Sequence, residues 1–112
     1  LDTSNVTNMG LMFGATNNLQ TIDLSKLDSS NVTNMSLMFC QSGITQIDLS
    51  PLNTSKVTNM YGFFNGVKAT SLDISSLDTS NVTNMGLMFG ATNKLQTIDL
   101  SKLILIIYLV WI

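Results

Sequence analysis

A repeat of 25 or 26 residues runs through almost the whole chain and limits its possible folds more than any other feature. The first and last copies differ at one position, Asn18 against Lys94. The leading leucines of successive copies are 26, 25, 25 and 26 residues apart: Leu1, Leu27, Leu52, Leu77 and Leu103. A fixed period of this length is typical of solenoids, in which each unit is one coil that lies on the next. We therefore predict one solenoid domain over residues 1–103, with four coils: 1–26, 27–51, 52–76 and 77–102.

Two local periods alternate within each copy. In the stretch 19–24, Ile22 and Leu24 fall on one side and Asp23 on the other, which is the alternation of a β-strand. In the preceding stretch, apolar side chains recur at i, i+3, i+6 and i+7: Val6, Met9, Met12 and Phe13. This spacing predicts a short helix. Each coil is expected to contain a short strand, a tight corner and about two turns of helix, with the strands forming a parallel sheet on one face.

The apolar columns of the repeat predict the core. Stacking places like residues on like, so the interior should hold a row of methionines and a row of phenylalanines. The columns are Met9, Met35, Met60 and Met85, and Phe13, Phe39, Phe64 and Phe89. The only cysteine, Cys40, is expected to be a small buried hydrophobe rather than a reactive thiol.

The composition excludes several classes of function. Ser, Thr and Asn make up 38 of 112 residues, all acidic residues are Asp, all basic residues are Lys, and His, Arg and Glu are absent. Without His there is no imidazole base and no triad of the Ser-His-Asp kind. Without Arg, and with a net charge of −2, the chain lacks the electrostatic pattern of a nucleic-acid-binding protein. We expect no enzyme activity, no catalytic residues, no cofactor and no nucleic-acid partner.

One column of aspartates should line up on the outer face of the strands: Asp23, Asp48, Asp73 and Asp99. Four carboxylates at a strand spacing of roughly 4.8 Å repel one another. We expect each to accept hydrogen bonds from Ser, Thr or backbone groups, without a metal site. The alternatives are a bridging Ca²⁺ ion and contact with a partner. The serines two positions further on can supply hydroxyl donors.

The exposed side of these strands is the candidate surface for a protein partner. We call it the contact face and define it by eight residues: Thr21, Asp23, Gln46, Asp48, Ser71, Asp73, Thr97 and Asp99. Shallow polar repeats bind through many weak contacts, so the affinity would depend on the number of coils. The rival hypothesis is a structural spacer without a specific ligand. A third column, with Asn5, Asn31 and Asn81, matches the N-x-Thr pattern of glycan acceptors.

Successive copies follow one pattern, Leu-x-x-Ile-Asp-Leu-Ser-x-Leu-Asp-Thr-Ser-Asn-Val-Thr-Asn-Met-x-x-Met-Phe. This pattern resembles the repeat of BspA-like leucine-rich repeat surface proteins over residues 1–103. The resemblance implies an α/β fold, a leucine-rich-repeat-like right-handed solenoid, in a bacterial cell-surface or secreted protein that adheres to host matrix proteins or to other cells. Lys56 and Gly62 depart from the pattern, so the third coil is expected to be degenerate.

The apolar end of the chain, residues 104–112, does not follow the repeat. Its length is about half of the roughly 20 residues that a membrane-spanning helix needs, so we predict no membrane span in this piece. Codons for Ile104–Ile112 can be chosen so that one G added in front of them shifts the reading frame to a different peptide. The shifted frame encodes Asp-Thr-Tyr-Asn-Leu-Pro-Ser-Met-Asp. This peptide restores the Asp, Thr, Asn and Met columns. One hypothesis is therefore a frameshifted fifth repeat; the other is the beginning of a membrane anchor.

Overall fold

The four repeats stack through a ladder of backbone hydrogen bonds. We refer to residues 1–26, 27–51, 52–76 and 77–102 as repeats 1 to 4; the computed structural model describes residues 2–101 and 103. Four N–H groups of repeat 1 donate to four carbonyls of repeat 2 over 2.8–3.1 Å: Met9 to Asn34, Leu11 to Ser36, Phe13 to Met38 and Ala15 to Cys40. Equivalent sets of four join repeat 2 to repeat 3 and repeat 3 to repeat 4. The sequence period is therefore also the period of the structure.

Regular secondary structure is sparse. Strand β1 is Ser71–Leu72 and strand β2 is Thr97–Ile98, and the two pair in parallel. Isolated parallel bridges join one asparagine column: Asn8, Asn34, Asn59 and Asn84. Residues 2–101 and 103 contain no helix. The predicted α/β fold, a leucine-rich-repeat-like right-handed solenoid with a strand and a helix in each of four coils, is therefore wrong.

The stretch predicted as a helix is a run of tight turns. Leu11 and Ala15 have left-handed backbone conformations, with φ of 59° and 58°, which an α-helix excludes. The Met12 N–H donates to the Met9 carbonyl at 3.3 Å, which closes a turn with the i, i+3 spacing of the apolar stripe. The Phe13 N–H donates to repeat 2 instead of to the carbonyl four residues earlier. Turns and a short helix thus produce the same apolar pattern, and the hydrogen bonds between repeats favour the turns.

The same two positions are left-handed in every repeat: Leu11 and Ala15, Leu37 and Gln41, Gly62 and Gly66, and Leu87 and Ala91. Repeat 3 alone has glycine at both, and glycine adopts this conformation without the steric cost of a Cβ. A Cβ on Gly62 would also lie 2.5 Å from Cδ2 of Leu37. Repeat 3, although expected to be degenerate, keeps the complete hydrogen-bond ladder.

Turns also shorten the predicted strands. The Leu19 N–H donates to the Thr16 carbonyl before the extended segment, and the Ser25 N–H donates to Asp23 Oδ1 after it. A serine N–H two residues beyond an aspartate carboxylate forms an Asx turn, which ends extended structure. Only a few extended residues fit between these turns. Instead of a four-stranded sheet, the described residues form one pair of two-residue strands.

The predicted methionine and phenylalanine rows are confirmed as the core. Met9, Met35, Met60 and Met85 are all buried. Phe39, Phe64 and Phe89 are fully buried and Phe13 is partly buried, with consecutive rings stacked at centroid distances of 5.6–5.8 Å. Cys40, in contrast, is only half-buried, so its predicted burial is wrong.

Buried hydroxyl groups connect neighbouring repeats on another side of the stack. Thr54 Oγ1 donates to the Asp78 carbonyl at 2.9 Å and accepts from the Asp78 N–H at 2.8 Å. Thr3 makes the same two contacts with Asp28, and Ser29 makes them with Asn53. These side chains are at most 6% exposed. A hydroxyl that both donates and accepts replaces the pair of backbone hydrogen bonds that a sheet would provide.

Residues 104–112, the predicted apolar tail, lie outside the described residues. Among the residues that are described, the structure has no helix long and apolar enough to span a membrane.

Candidate contact face

All eight residues of the contact face are exposed to solvent. Ser71 pairs with Thr97 across the two short strands, so these side chains are neighbours in adjacent repeats. Repeats 1 and 2 are joined on this side by the Thr45 N–H, which donates to the Gln20 carbonyl at 3.0 Å. The structure therefore places the predicted residues on one surface, although the four-stranded sheet expected beneath them is not formed.

Each aspartate of the contact face accepts a hydrogen bond within its own turn. The N–H groups of Ser25, Ser50, Ser75 and Ser101 donate to Oδ1 of the aspartate two residues earlier over 2.9–3.0 Å. The Ser75 hydroxyl also donates to Asp73, at 2.6 Å. This is the hydrogen-bonded arrangement expected from the sequence.

These hydrogen bonds stabilise the ionised carboxylates. The Ser25 N–H and then its hydroxyl lower the pKa of Asp23, and the Ser50 hydroxyl and then its N–H lower the pKa of Asp48. The Ser75 hydroxyl and N–H likewise lower the pKa of Asp73. The neighbouring aspartate in the next repeat raises the pKa of Asp48 and of Asp73, but this repulsion is the smaller effect. The column is therefore a row of anions that local donors hold in place.

Two shallow depressions cross the contact face. One, of about 480 Å³, lies between β1 and β2 and is lined by Ser71–Asp73 and Thr97–Asp99. The other, of about 320 Å³, lies between repeats 1 and 2 and is lined by Thr21, Ile22 and Gln46–Asp48. Both are open to solvent, and each is lined by apolar and polar side chains. Such a surface suits the side chains of an extended partner better than an enclosed small molecule.

The described residues offer no cluster of three metal-ligating side chains. Cys40 is the only thiol of the chain, and burial raises its pKa. A raised pKa disfavours the nucleophilic thiolate at neutral pH. The arrangement can therefore present hydrogen-bond donors, acceptors and negative charge.

A second exposed surface, outside the predicted contact residues, follows the asparagine and threonine columns. The amides of Asn31 and Asn81 donate to the carbonyls of Ser4 and Ser55 in the preceding repeats at 2.8 and 2.7 Å. Lys56, at the same position in repeat 3, donates to Asn31 Oδ1 at 3.0 Å. The N-x-Thr pattern thus coincides with asparagine amides that connect repeats. The period of 25–26 residues was the only sequence signal for this role.

The described residues define a protein built from short stacked repeats that are joined by backbone hydrogen bonds and by rows of buried hydroxyl groups. The chain belongs to the family described as Mycoplasma protein of unknown function, DUF285, whose model matches residues 1–103. No match was found among curated proteins or among solved structures.

Proposed function

We propose that the chain is a non-catalytic repeat segment of a bacterial cell-surface or secreted protein, and that it mediates adhesion between proteins. Its partners would be host matrix proteins or other cell-surface proteins, bound through the contact face. The proposal takes its biological setting from the resemblance to BspA-like surface proteins. Membership of a family of mycoplasma proteins is compatible with that setting.

The observation that carries the proposal is that the polar side chains of the contact face are preorganised. Its aspartates are oriented by their own serines, so binding does not need to order them. Neighbouring repeats present equivalent groups beside one another, as Ser71 and Thr97 do. Preorganised, repeated polar groups lower the entropic cost of binding and let weak contacts add along the stack.

The alternative function is a structural spacer whose repeats extend and cover a surface without a specific ligand. One observation favours it: many polar side chains form hydrogen bonds within the stack, including the asparagine amides and the buried hydroxyls. Such contacts stabilise the repeats without any partner. The two functions differ in whether changes confined to the contact face affect binding.

The experiment measures binding of the full chain to a panel of immobilised host matrix proteins. The test variant carries Gln46→Lys and Ser71→Lys, two exposed positions on the contact face. The matched control carries Thr33→Lys and Thr58→Lys, which are also exposed and lie in neighbouring repeats but on the threonine column. If the contact face binds, the test variant loses at least about tenfold in affinity, or 1.4 kcal/mol, and the control keeps wild-type affinity.

Two results would contradict the proposal. Equal losses in both variants would mean that binding depends on overall charge and not on the contact face. If the wild type binds neither a member of the panel nor other cells, the spacer function is favoured. Melting temperatures of both variants are measured first, because a binding loss is informative only in a folded chain.

A further inference from the structure

Two lysines line a depression that lies outside the contact face. The depression has a volume of about 340 Å³ and lies where the loops of repeats 3 and 4 approach each other. Its lining includes Gln41, Lys68, Asn93 and Lys94. Among its described lining residues there is no aspartate, and Asp is the only acidic residue type in the chain. The depression therefore concentrates positive charge in a chain whose net charge is −2.

These two lysines differ from the other described lysines in their surroundings. Lys56 donates a hydrogen bond to an asparagine of repeat 2 at 3.0 Å, and Lys26 lies close enough to Asp23 to interact with its charge. Among the described residues, neither Lys68 nor Lys94 forms a hydrogen bond or an ion pair. Two ammonium groups without a counterion beside one depression raise the local concentration of anions.

Both lysines are departures from the repeat. Lys94 stands at the one position where repeats 1 and 4 differ, and Asn18 occupies that position in repeat 1. Lys68 stands where repeat 2 has Gly43, 25 positions earlier. Two separate departures from the pattern thus bring positive charge to the same depression.

The spacing of the loops also differs between the two pairs of repeats. The Gly43 N–H donates to the Thr16 carbonyl at 3.0 Å, and a Cβ on Gly43 would collide with the Asn17 carbonyl oxygen. Among the residues that the structure describes, the equivalent pair in repeats 3 and 4, the Lys68 N–H and the Thr92 carbonyl, forms no hydrogen bond. A side chain does not fit the close approach that Gly43 allows. The loops of repeats 3 and 4 therefore stay apart, and the depression lies between them.

Two carboxamides stand beside the lysines. Gln41 packs against Gly66, where an added Cβ would lie 2.5 Å from Gln41 Nε2, and Asn93 is exposed next to Lys94. Within the described part of the chain, neither carboxamide has a hydrogen-bond partner. A carboxamide both donates and accepts hydrogen bonds, so it can pair with a sugar hydroxyl, which does the same. Ala91 adds an exposed apolar surface to the lining.

The depression suits a small ligand better than an extended peptide. A peptide that adds to an exposed edge binds mainly through main-chain hydrogen bonds. Here the N–H groups of Gln41 and Gly66 already donate to the carbonyls of Asn65 and Gly90, at 2.7 and 2.8 Å. The volume of about 340 Å³ is close to the lower end of small-molecule sites, roughly 300 Å³. These features fit a small ligand that carries hydroxyl groups and a negative charge.

We propose that this depression, the lysine site, binds the carboxylate-bearing sugar of an acidic glycan. The lysine site is defined by Gln41, Lys68, Asn93 and Lys94. The two ammonium groups hold the carboxylate, and the two carboxamides bind hydroxyl groups of the ring. The site lies outside the contact face and does not depend on the function proposed for that face.

The test is a titration of the isotope-labelled full chain with methyl glucuronide, followed by two-dimensional amide NMR. The signals of Lys68 and Ala91 should shift and reach saturation, with a Kd on the order of 1 mM because one sugar makes few contacts. Methyl glucoside has the same ring without the carboxylate. It should bind at least about tenfold more weakly, since it loses the hydrogen bonds to charged groups.

Two variants and a matched control assign the binding to the lysine site. Lys94→Asn introduces the residue that repeat 1 has at this position, and it should weaken binding of methyl glucuronide at least about tenfold. Lys68→Gln should have an effect of the same size. Lys26→Gln removes the same charge at an exposed lysine outside the depression and should keep the wild-type Kd. All three positions are exposed, and the amide spectra show directly that each variant is folded.

The proposal is overturned by any of three outcomes. Methyl glucuronide may cause no saturable shifts, or Lys94→Asn and Lys26→Gln may weaken its binding equally, which would mean that only the overall charge matters. The third outcome is that acetate or a short acidic peptide binds as tightly as methyl glucuronide. In that case the lysines would recognise any carboxylate, and the sugar would not be the ligand.

Discussion

Repeats 1 and 4 have almost the same sequence but different environments. Val82 and Met88 of repeat 4 are fully buried, whereas Val6 of repeat 1 is half-buried and Met12 is 39% exposed. The difference cannot come from local propensity, because the two repeats differ only at Asn18 and Lys94. It comes from the presence of repeat 3 against repeat 4. Burial in this molecule is therefore a property of the contact between repeats.

This comparison indicates where the stability of the fold lies. The described regular secondary structure comprises only two strands of two residues each, and most backbone hydrogen bonds that join distant parts of the chain connect neighbouring repeats. In stacked-repeat proteins, stability is close to a sum of terms for each repeat and each interface. A residue in repeat 1 contributes to one interface, while its equivalent in an inner repeat contributes to two.

The largest expected effect is in the phenylalanine row. Phe89→Ala removes a fully buried ring that stacks on Phe64 at 5.8 Å, and it should lower the free energy of unfolding by about 3–5 kcal/mol. Phe13→Ala removes the equivalent ring from a half-buried site and should cost about half as much. Urea denaturation of both variants measures the difference. Equal losses would mean that the environment of repeat 1 is not more open than that of repeat 4.

The buried hydroxyls, unlike the phenylalanines, should contribute equally in repeat 1 and in an inner repeat, because each of them contacts the next repeat. Thr54→Val leaves the N–H and carbonyl of Asp78 without the partly buried hydroxyl that they both bind and should cost about 1–3 kcal/mol. Thr3→Val should cost a similar amount, since Thr3 makes the same two contacts with Asp28. Chemical denaturation compares the two variants. A much smaller loss for Thr3→Val would show that repeat 1 frays independently of repeat 2.

The repeat and its core columns could be predicted from the sequence, but the backbone conformation could not. Stacking places Met9 on Met35 whatever the local structure is, so the core rows follow from the period alone. The helix prediction failed because Val6, Met9 and Phe13 have the same spacing in successive turns as in a helix. The left-handed residues that decide between these structures are mostly Leu, Ala and Gln, which carry no sequence signal for φ above zero.

The candidate site was predictable to a similar extent. The aspartate column and its serine partners were expected from their two-residue spacing. The Asx turns confirm the prediction that these aspartates accept hydrogen bonds from the serines. The contacts of Thr3 and Asn31 with neighbouring repeats were not expected. They connect residues that are 25 and 27 positions apart, and which atoms meet across that distance depends on the turns.

A smaller effect is expected from acid, and it should be alike in repeat 1 and in the inner repeat 3. The pKa values of Asp23 and Asp73 are lowered below the ordinary value of 3.8 in the folded chain. The ionised forms therefore stabilise the fold above that pH, and the contribution is lost as the pH falls through the folded pKa. Asp23→Asn and Asp73→Asn keep an oxygen acceptor for the turn but do not titrate. Each should make the fall in melting temperature below pH 3.8 shallower to a similar degree.

The smallest effect is expected at the one position where repeats 1 and 4 differ. Asn18 and Lys94 are both exposed and lie outside the core rows, so Asn18→Lys and Lys94→Asn should each change the free energy of unfolding by less than about 0.5 kcal/mol. In the Asn18→Lys chain the two repeats become identical, yet Met12 should still be oxidised by dilute hydrogen peroxide far faster than Met88, because only Met88 is covered. Peptide mapping measures the two rates. Equal rates would mean that the exchanged side chain, and not the neighbouring repeat, determines the exposure of the methionine row.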